Sequence, residues 1–371
     1  MNDFNIVKKA VENDGLALEF ASFELRDNFL IVFEAVKNDG LALKFASFRL
    51  RDNINIIKRA LLVNDNYVNN WNSFFKASKM DISFLDNISI DLKNNIEFFR
   101  DIININSQVI EYASLEIQDN YELILDVVRI NGINLKYASS RLRDEKYICK
   151  EAIKNNSYSA SFISNNLKNS IDFAIEAIHI NSFSLEFFSN EIKNNFKVIK
   201  EAVFINGLCL SYASNELKNN IEIVDIAITN NPFSYKFASK EIKNNYDLAL
   251  KVVKIKGYIL KYLSYKMRNN FNIVMEAIKN NNNSYILIYA SPELKDNYEI
   301  VMEAVKKNGY RLKFASYNLK KNHEICLEAI KNNIDAFNFI DISLKKDINF
   351  LTLHELASMP FQDDLFPSNR S

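Results

Sequence analysis

NYELILDVVRINGINLKYASSRLRDE, residues 120–145, is one period of a pattern that runs along this 371-residue chain. Its first half sets Tyr121, Leu123, Ile124, Val127 and Val128 at helical spacing, which predicts an amphipathic helix A. Asp119 with Glu122 predicts a capping box at its start, as do Asn94/Glu97, Asn219/Glu222 and Asp296/Glu299. The end of helix A is marked by a base, Arg129, ahead of Asn-Gly; Lys37, Lys154, Lys254, Lys279, Lys306 and Lys331 recur at that phase. A shorter helix B follows, with Leu135, Ala138 and Leu142 at i, i+3, i+7. The serine of its aromatic-Ala-Ser triplet is expected to break helix B by capping the next turn.

Outward from this unit, a Leu-Lys/Arg-Asp/Asn-Asn anchor recurs thirteen times, ending at Asn28, Asn53, Asn95, Asn120, Glu145, Ser170, Asn195, Asn220, Asn245, Asn270, Asn297, Asn322 and Asp347. Every step is 25 residues except 42 before Asn95 and 27 before Asn297. All six glycines (Gly15, Gly40, Gly132, Gly207, Gly257, Gly309) lie thirteen residues before an anchor's end, so each is expected to make a left-handed reversal. A 25-residue hairpin cannot bury its own apolar face, so the units must stack through the alanine column Ala35, Ala152, Ala177, Ala202, Ala227 and Ala277. The fold class is therefore all-α, an α-solenoid of about thirteen helix-turn-helix repeats. Residues 1–53 hold N-terminal repeats, 54–95 an irregular or degenerate repeat with an insertion, 96–347 regular repeats, and 348–371 a C-terminal cap and tail.

Forty-six basic and forty-six acidic residues cancel, which removes the global field that would draw the chain to nucleic acid or a lipid surface. With neither a signal peptide nor a membrane span in the sequence, an intracellular, cytoplasmic, monomeric protein is expected. Cys149, Cys209 and Cys326 occupy core phases and read as small hydrophobes. His354-Glu355 opens like a zinc-protease helix, but Ser358 stands where the second histidine belongs; no metal or cofactor is expected. Repeat columns set like residues in parallel rows rather than converging acid, base and nucleophile, so no catalytic residues are assigned.

Two charged rows carry the recurrent chemistry. The anchors' second position is basic in Arg26, Arg51, Lys93, Arg143, Lys168, Lys193, Lys218, Lys243, Arg268, Lys295, Lys320 and Lys345. Glu34, Asp101, Asp126, Glu151, Glu176, Glu201, Glu276, Glu303 and Glu328 form an acidic row on helix A. One reading pairs the rows with each other; the other leaves the bases as an exposed ridge for a polyanion such as nucleic acid. The aromatic columns are assigned to the core, which speaks against bases interleaved with exposed rings. The break at 54–95 carries Trp71 and Phe74, either filling an irregular stack or forming a bulge that docks a protein partner.

The signature Leu-Lys/Arg-Asp/Asn-Asn, Glu-Ala-Val/Ile-Lys-x-Asn-Gly, Leu-x-Tyr/Phe-Ala-Ser resembles a tandem family known as a domain of unknown function, found in protists, their large viruses and associated bacteria. The likeness spans residues 1–347 and implies helical arrays without an assigned activity, so no residue's role carries over. A non-enzymatic scaffold for a protein partner is the leading expectation, with polyanion binding as the alternative.

Overall fold

The computed structural model describes residues 1–65, 81–280, 285–347 and 350. It forms two compact units, residues 1–192 and 193–371, each built from the same short module. Among the described residues there is no strand, and the fold is an α-solenoid.

In the first unit helix A appears as Phe4–Asn13, Phe29–Asn38, Ile54–Asp65, Ile96–Ile102, Tyr121–Ile130, Lys146–Asn155 and Ile171–Ile180. Each is followed by a helix B, such as Gly132–Tyr137, and by one short anchor turn, such as Leu115–Gln118. The B helices lie in an unbroken series from Gly15–Phe20 to Ser182–Phe187, and A helices pack on their neighbours, as Tyr121–Ile130 does on Lys146–Asn155. The second unit repeats this from Phe196–Ile205 to His323–Asn332. Leu123, Ile124, Val127, Val128, Leu135 and Leu142 of the quoted period are all buried, and the six column alanines have no exposed surface. Small residues there let one A helix lie close to the next.

Helix B is a 3-10 helix. Asn134 N–H donates to Asn131 O at 3.0 Å and Ala138 N–H to Leu135 O at 3.1 Å, an i to i−3 pattern that is stable only over short runs. The triplet serine ends it as expected: Ser139 is the cap, its Oγ accepting from Leu142 N–H at 3.2 Å. The cap of helix A lies one residue later than the sequence suggests. Asn120, not Asp119, accepts from Leu123 N–H at 3.0 Å, which puts Glu122 at the second helical position, where the reciprocal bond of a capping box is not made. Asp119 instead closes the preceding anchor turn.

The expectation for the glycines is overturned, since no residue among those described has positive φ. The reversal is made one residue earlier by an extended asparagine: Asn131 sits at φ −146° and ψ 105° and accepts from Ile133 N–H at 3.2 Å. Glycine is needed for close approach. A Cβ on Gly40 would lie 2.7 Å from the carbonyl oxygen of Ala60, a column alanine of the next unit, and Gly15, Gly132, Gly207 and Gly309 approach theirs more closely still.

The 42-residue step is absorbed between Ile54–Asp65 and the helix B at Ser83–Asn87, which stacks between Gly40–Phe45 and Ser107–Tyr112. The flanking anchor survives, with Ser89 N–H donating to Asp52 Oδ1 at 2.8 Å. Of the segment 54–95, the described parts Ile54–Asp65 and Ser83–Asn87 stack on their neighbours. Trp71 and Phe74 lie outside the described residues, as do the 281–284 part of the second insertion, His354 and Glu355.

Candidate functional site

The anchor turns follow one another along an edge of each unit, and a polar ladder joins them. The triplet serine donates its backbone N–H to the carbonyl of the preceding anchor's base: Ser47 to Arg26 at 3.0 Å, Ser139 to Gln118 at 3.0 Å, Ser164 to Arg143 at 2.8 Å, and Ser239 to Lys218 at 3.0 Å in the second unit. Its hydroxyl donates to the anchor's third residue in the same neighbour, from Ser47 to Asp27, Ser139 to Asp119 and Ser164 to Asp144. Every serine is thus both a cap within its own turn and a tie to the turn before it.

A second side chain completes each tie. Where the third anchor residue is Asp, the position two past the next serine holds Arg or Asn in four of five cases: Arg49 pairs with Asp27, Arg141 with Asp119, and Asn166 and Asn318 donate to Asp144 and Asp296, whereas the position answering Asp52 is Asp91. Where it is Asn, that position is Glu in Asn94/Glu116, Asn169/Glu191, Asn194/Glu216, Asn219/Glu241 and Asn269/Glu293, and Lys in Asn244/Lys266. Asn194 Nδ2 donates to Glu216 at 3.3 Å. Matching the partner's charge to the anchor's keeps two carboxylates from sharing a rung, except at the Asp52/Asp91 rung that follows the 42-residue step.

The ladder sets a pH dependence. The Ser139 hydroxyl, then Arg141, holds the Asp119 carboxyl below its ordinary value, and Ser47 with Arg49 does the same for Asp27. A carboxyl whose folded pKa is depressed contributes stability above its unfolded pKa, about 4, and loses it as pH falls through the folded value. Melting curves should therefore show Tm unchanged between about pH 7 and 5 and falling below about pH 4. Ser139→Ala should cost about 1 kcal/mol near neutrality through the lost cap, and its deficit relative to wild type should narrow below about pH 4.

The basic row does not stand out as a ridge. Arg26, Arg51, Arg143, Lys168, Lys193, Lys218, Lys243, Arg268, Lys295 and Lys320 are all half-buried at the ends of their turns. Arg26 Nε donates to Ala21 O at 2.8 Å, Arg51 Nε to Ala46 O at 2.9 Å, Lys93 Nζ to Asp86 O at 2.9 Å, Lys168 Nζ to Ser161 O at 2.6 Å and Lys243 Nζ to Lys236 O at 2.7 Å. These cations sit on the carbonyl end of helix B, where partial negative charge gathers. Gln118, the non-basic member, does the same work with its amide, donating to Ile110 O at 3.1 Å and Ala113 O at 3.2 Å. Burial pulls the Lys168, Lys218, Lys243, Lys295 and Lys320 amines below their ordinary pKa. The acidic row pairs with bases on neighbouring A helices: Glu151 with Arg129 at 3.2 Å, Glu176 with Lys150 at 2.9 Å and Asp101 with Lys58 at 2.9 Å.

The assignment of the aromatic columns to the core is also corrected. Most triplet rings are half-buried, Phe20 being exposed, and where the preceding residue is lysine it covers the ring, with Lys136 Nζ 4.3 Å from the Tyr137 ring centre and Lys236 Nζ 4.6 Å from that of Phe237. A second column, the residue after the serine, is almost bare: Phe23 is 77% exposed, Phe48 80%, Ile90 76% and Leu115 82%. An anchor turn is four residues long and turns only its Leu or Ile toward the core, so its first side chain points to solvent. The column turns polar at Ser140, Asn165, Asn190, Asn215 and Lys240, and apolar again at Tyr265, Tyr317 and Ile342 in the second unit. Four consecutive bare hydrophobes at one phase were readable in the sequence but are lost when every aromatic column is assigned inward.

Cys149, Cys209 and Cys326 are buried free thiols, and burial pushes those of Cys149 and Cys326 up to about 12, as expected of small core hydrophobes. No helix among the described residues is long and apolar enough to cross a membrane.

A family model described as Domain of unknown function (DUF4116) matches residues 1–26, 28–80, 120–165, 145–193, 195–243, 245–295, 281–320 and 297–345. Several matches begin at the cap of a helix A, at Glu145, Asn195, Asn245 and Asn297, and run through two stacked units. No curated protein and no solved structure matches the chain.

Proposed function

We propose that this chain, which belongs to the DUF4116 family, is a non-enzymatic intracellular scaffold that docks a protein partner on the anchor-turn edge of its first unit. The observation that carries this reading is the row Phe23, Phe48, Ile90 and Leu115, each more than three-quarters exposed on consecutive anchor turns. Single exposed hydrophobes are ordinary, but a row held in register by a backbone and side-chain ladder is a patterned apolar surface of the kind interaction sites present. Buried free thiols suit a reducing interior. The alternative of a polyanion tracking the basic row finds less support, because cations such as Lys168 and Lys243 already hold helix carbonyls and lysines cover several of the triplet rings on which bases would stack.

The test is a double substitution, Phe48→Ser with Leu115→Ser. Both positions face solvent, so Tm should move by no more than about 2 °C. Binding of the partner recovered from source cells by photo-crosslinking at residues 48 and 115 should weaken by about tenfold or more, as expected when two apolar anchors are removed. Unchanged affinity in the double variant would reject the row as the docking site.

A further inference from the structure

Where the exposed column turns polar in the first unit, the structure opens a cleft of about 380 Å³ with Ser140 and Asn165 on its rim and Arg143, Lys168, Ser161 and Phe162 within. Its origin can be read in the sequence. The residue before the triplet aromatic is long in most units (Glu19, Lys44, Glu111, Lys136, Glu186, Lys236, Lys261, Lys313), but here it is Ser161. The missing side chain leaves room between two successive anchor bases.

Both bases are left with unused donors. Arg26 and Arg51 place Nε on the carbonyl of their own unit, yet the buried Nε of Arg143 has no hydrogen-bond partner. The buried Ser161 hydroxyl has none either, whereas Ser211 at the same phase donates to Leu208 O at 2.8 Å. Lys168 Nζ uses one N–H on Ser161 O at 2.6 Å, leaving two. No carboxylate lines the cleft. Asp144, the nearest acid in sequence, is held by the Ser164 hydroxyl and by Asn166 Nδ2 at 3.2 Å. Two cations that share a half-buried cleft repel each other, and the Lys168 amine is pulled below its ordinary pKa by burial and then by Arg143.

We infer that this cleft binds a phosphate group, with the Arg143 guanidinium and Lys168 Nζ as its donors. A tetrahedral dianion accepts from both and cancels the repulsion between the two cations. An uncharged ligand would leave the charges unopposed. The site does not depend on the apolar row having a partner.

The test is an NMR titration of the isotope-labelled full-length chain at constant ionic strength, with inorganic phosphate in one arm and a phosphoserine peptide with its unphosphorylated control in the other. Saturable shifts confined to amides around 140–144 and 161–168 are expected with inorganic phosphate. Displacement by the phosphopeptide at lower concentration would identify a phosphorylated chain as the source, and displacement only at equal or higher concentration a free phosphate; both support the site. Arg143→Gln and Lys168→Gln should each weaken binding by about tenfold, while Lys243→Gln in the second unit leaves it unchanged. The shift map of the wild-type chain stands even where a variant folds poorly. Absence of saturable shifts, shifts spread over every basic residue, or undiminished affinity in a folded Arg143→Gln variant would overturn the inference.

Discussion

Gly309→Ala is expected to lower the stability of the second unit by about 3 kcal/mol, which for a body of this size is a drop in Tm of roughly 6–12 °C. The added methyl would press into the backbone carbonyl of Ala329, with the Ala329 carbonyl carbon at 2.9 Å and Asn333 N at 3.0 Å. All of these are backbone atoms of the neighbouring helix A, so no rotamer change relieves the clash and the two repeats must part. The cause matters to the outcome. Were the glycine held at positive φ, the cost would be local strain of about 1–2 kcal/mol and the neighbouring helix would be undisturbed. With a negative φ the damage lies between units, and hydrogen exchange should rise in His323–Asn332 as well as around residue 309. A variant as stable as wild type, or exchange confined to the residue-309 turn, would refute the close-approach account.

This glycine shows what the sequence makes legible and where it stops. The period, helix A, the break after the triplet serine and the stacking of units all follow from local rules: 3.6-residue spacing, capping side chains, and too little apolar area in one unit to stand alone. The role of a conserved phase is harder, because left-handed turning and close backbone approach select the same residue type. The distinction lies 20 residues away, at Ala329, and emerges only when the next helix is in place. The same limit applies to the anchor bases. Charge and spacing suggested a partner of opposite sign, but Lys168 and Lys243 hold backbone carbonyls seven residues earlier, and carbonyls carry no signature in a sequence.

The exposed row was missed for the opposite reason. Phe23 and Phe48 sit in a turn of four residues in which only Leu25 and Leu50 reach the core, so helical periodicity, which needs several turns to separate faces, assigns them no side. The cleft at Arg143 and Lys168 depends on a short residue, Ser161, where the column is long in most units. Reading it needs both the column and the knowledge that successive anchor bases are neighbours.

One coupling is written in the sequence and testable by exchange between units. The residue 23 positions after five of the six glycines, Gly15, Gly132, Gly207, Gly257 and Gly309, is asparagine: Asn38, Asn155, Asn230, Asn280 and Asn332; after Gly40 it is Val63. After Ser107, Ser157, Ser182 and Pro232, which hold the glycine's phase elsewhere, it is isoleucine: Ile130, Ile180, Ile205 and Ile255. The structure gives the reason. Asn230 accepts from Gly207 N–H at 2.8 Å and donates to Phe204 O at 2.8 Å, clamping the end of one helix A to the start of its helix B from the next unit. Clamp and close approach coincide at Gly207, where a Cβ would press into the carbonyl of Ala227; Gly40 keeps the close approach without an asparagine, so the two devices are separable in the sequence and their coupling can be measured.

Gly207→Ser alone should cost about 2–3 kcal/mol, because its Cβ would meet Asn231 N at 3.0 Å and Ala227 C at 3.2 Å. Asn230→Ile alone should cost less, roughly 1–2 kcal/mol, chiefly by leaving the part-buried Gly207 N–H unpaired, since the Phe204 carbonyl is exposed to water. The double variant recreates the pairing found at Ser157 and Ile180, and its cost should fall short of the sum by about 1–2 kcal/mol. Denaturant unfolding of the four proteins closes the cycle. Strict additivity would mean that the asparagine and the glycine answer to separate constraints, and the ties between successive units would then have to be sought in the serine ladder alone.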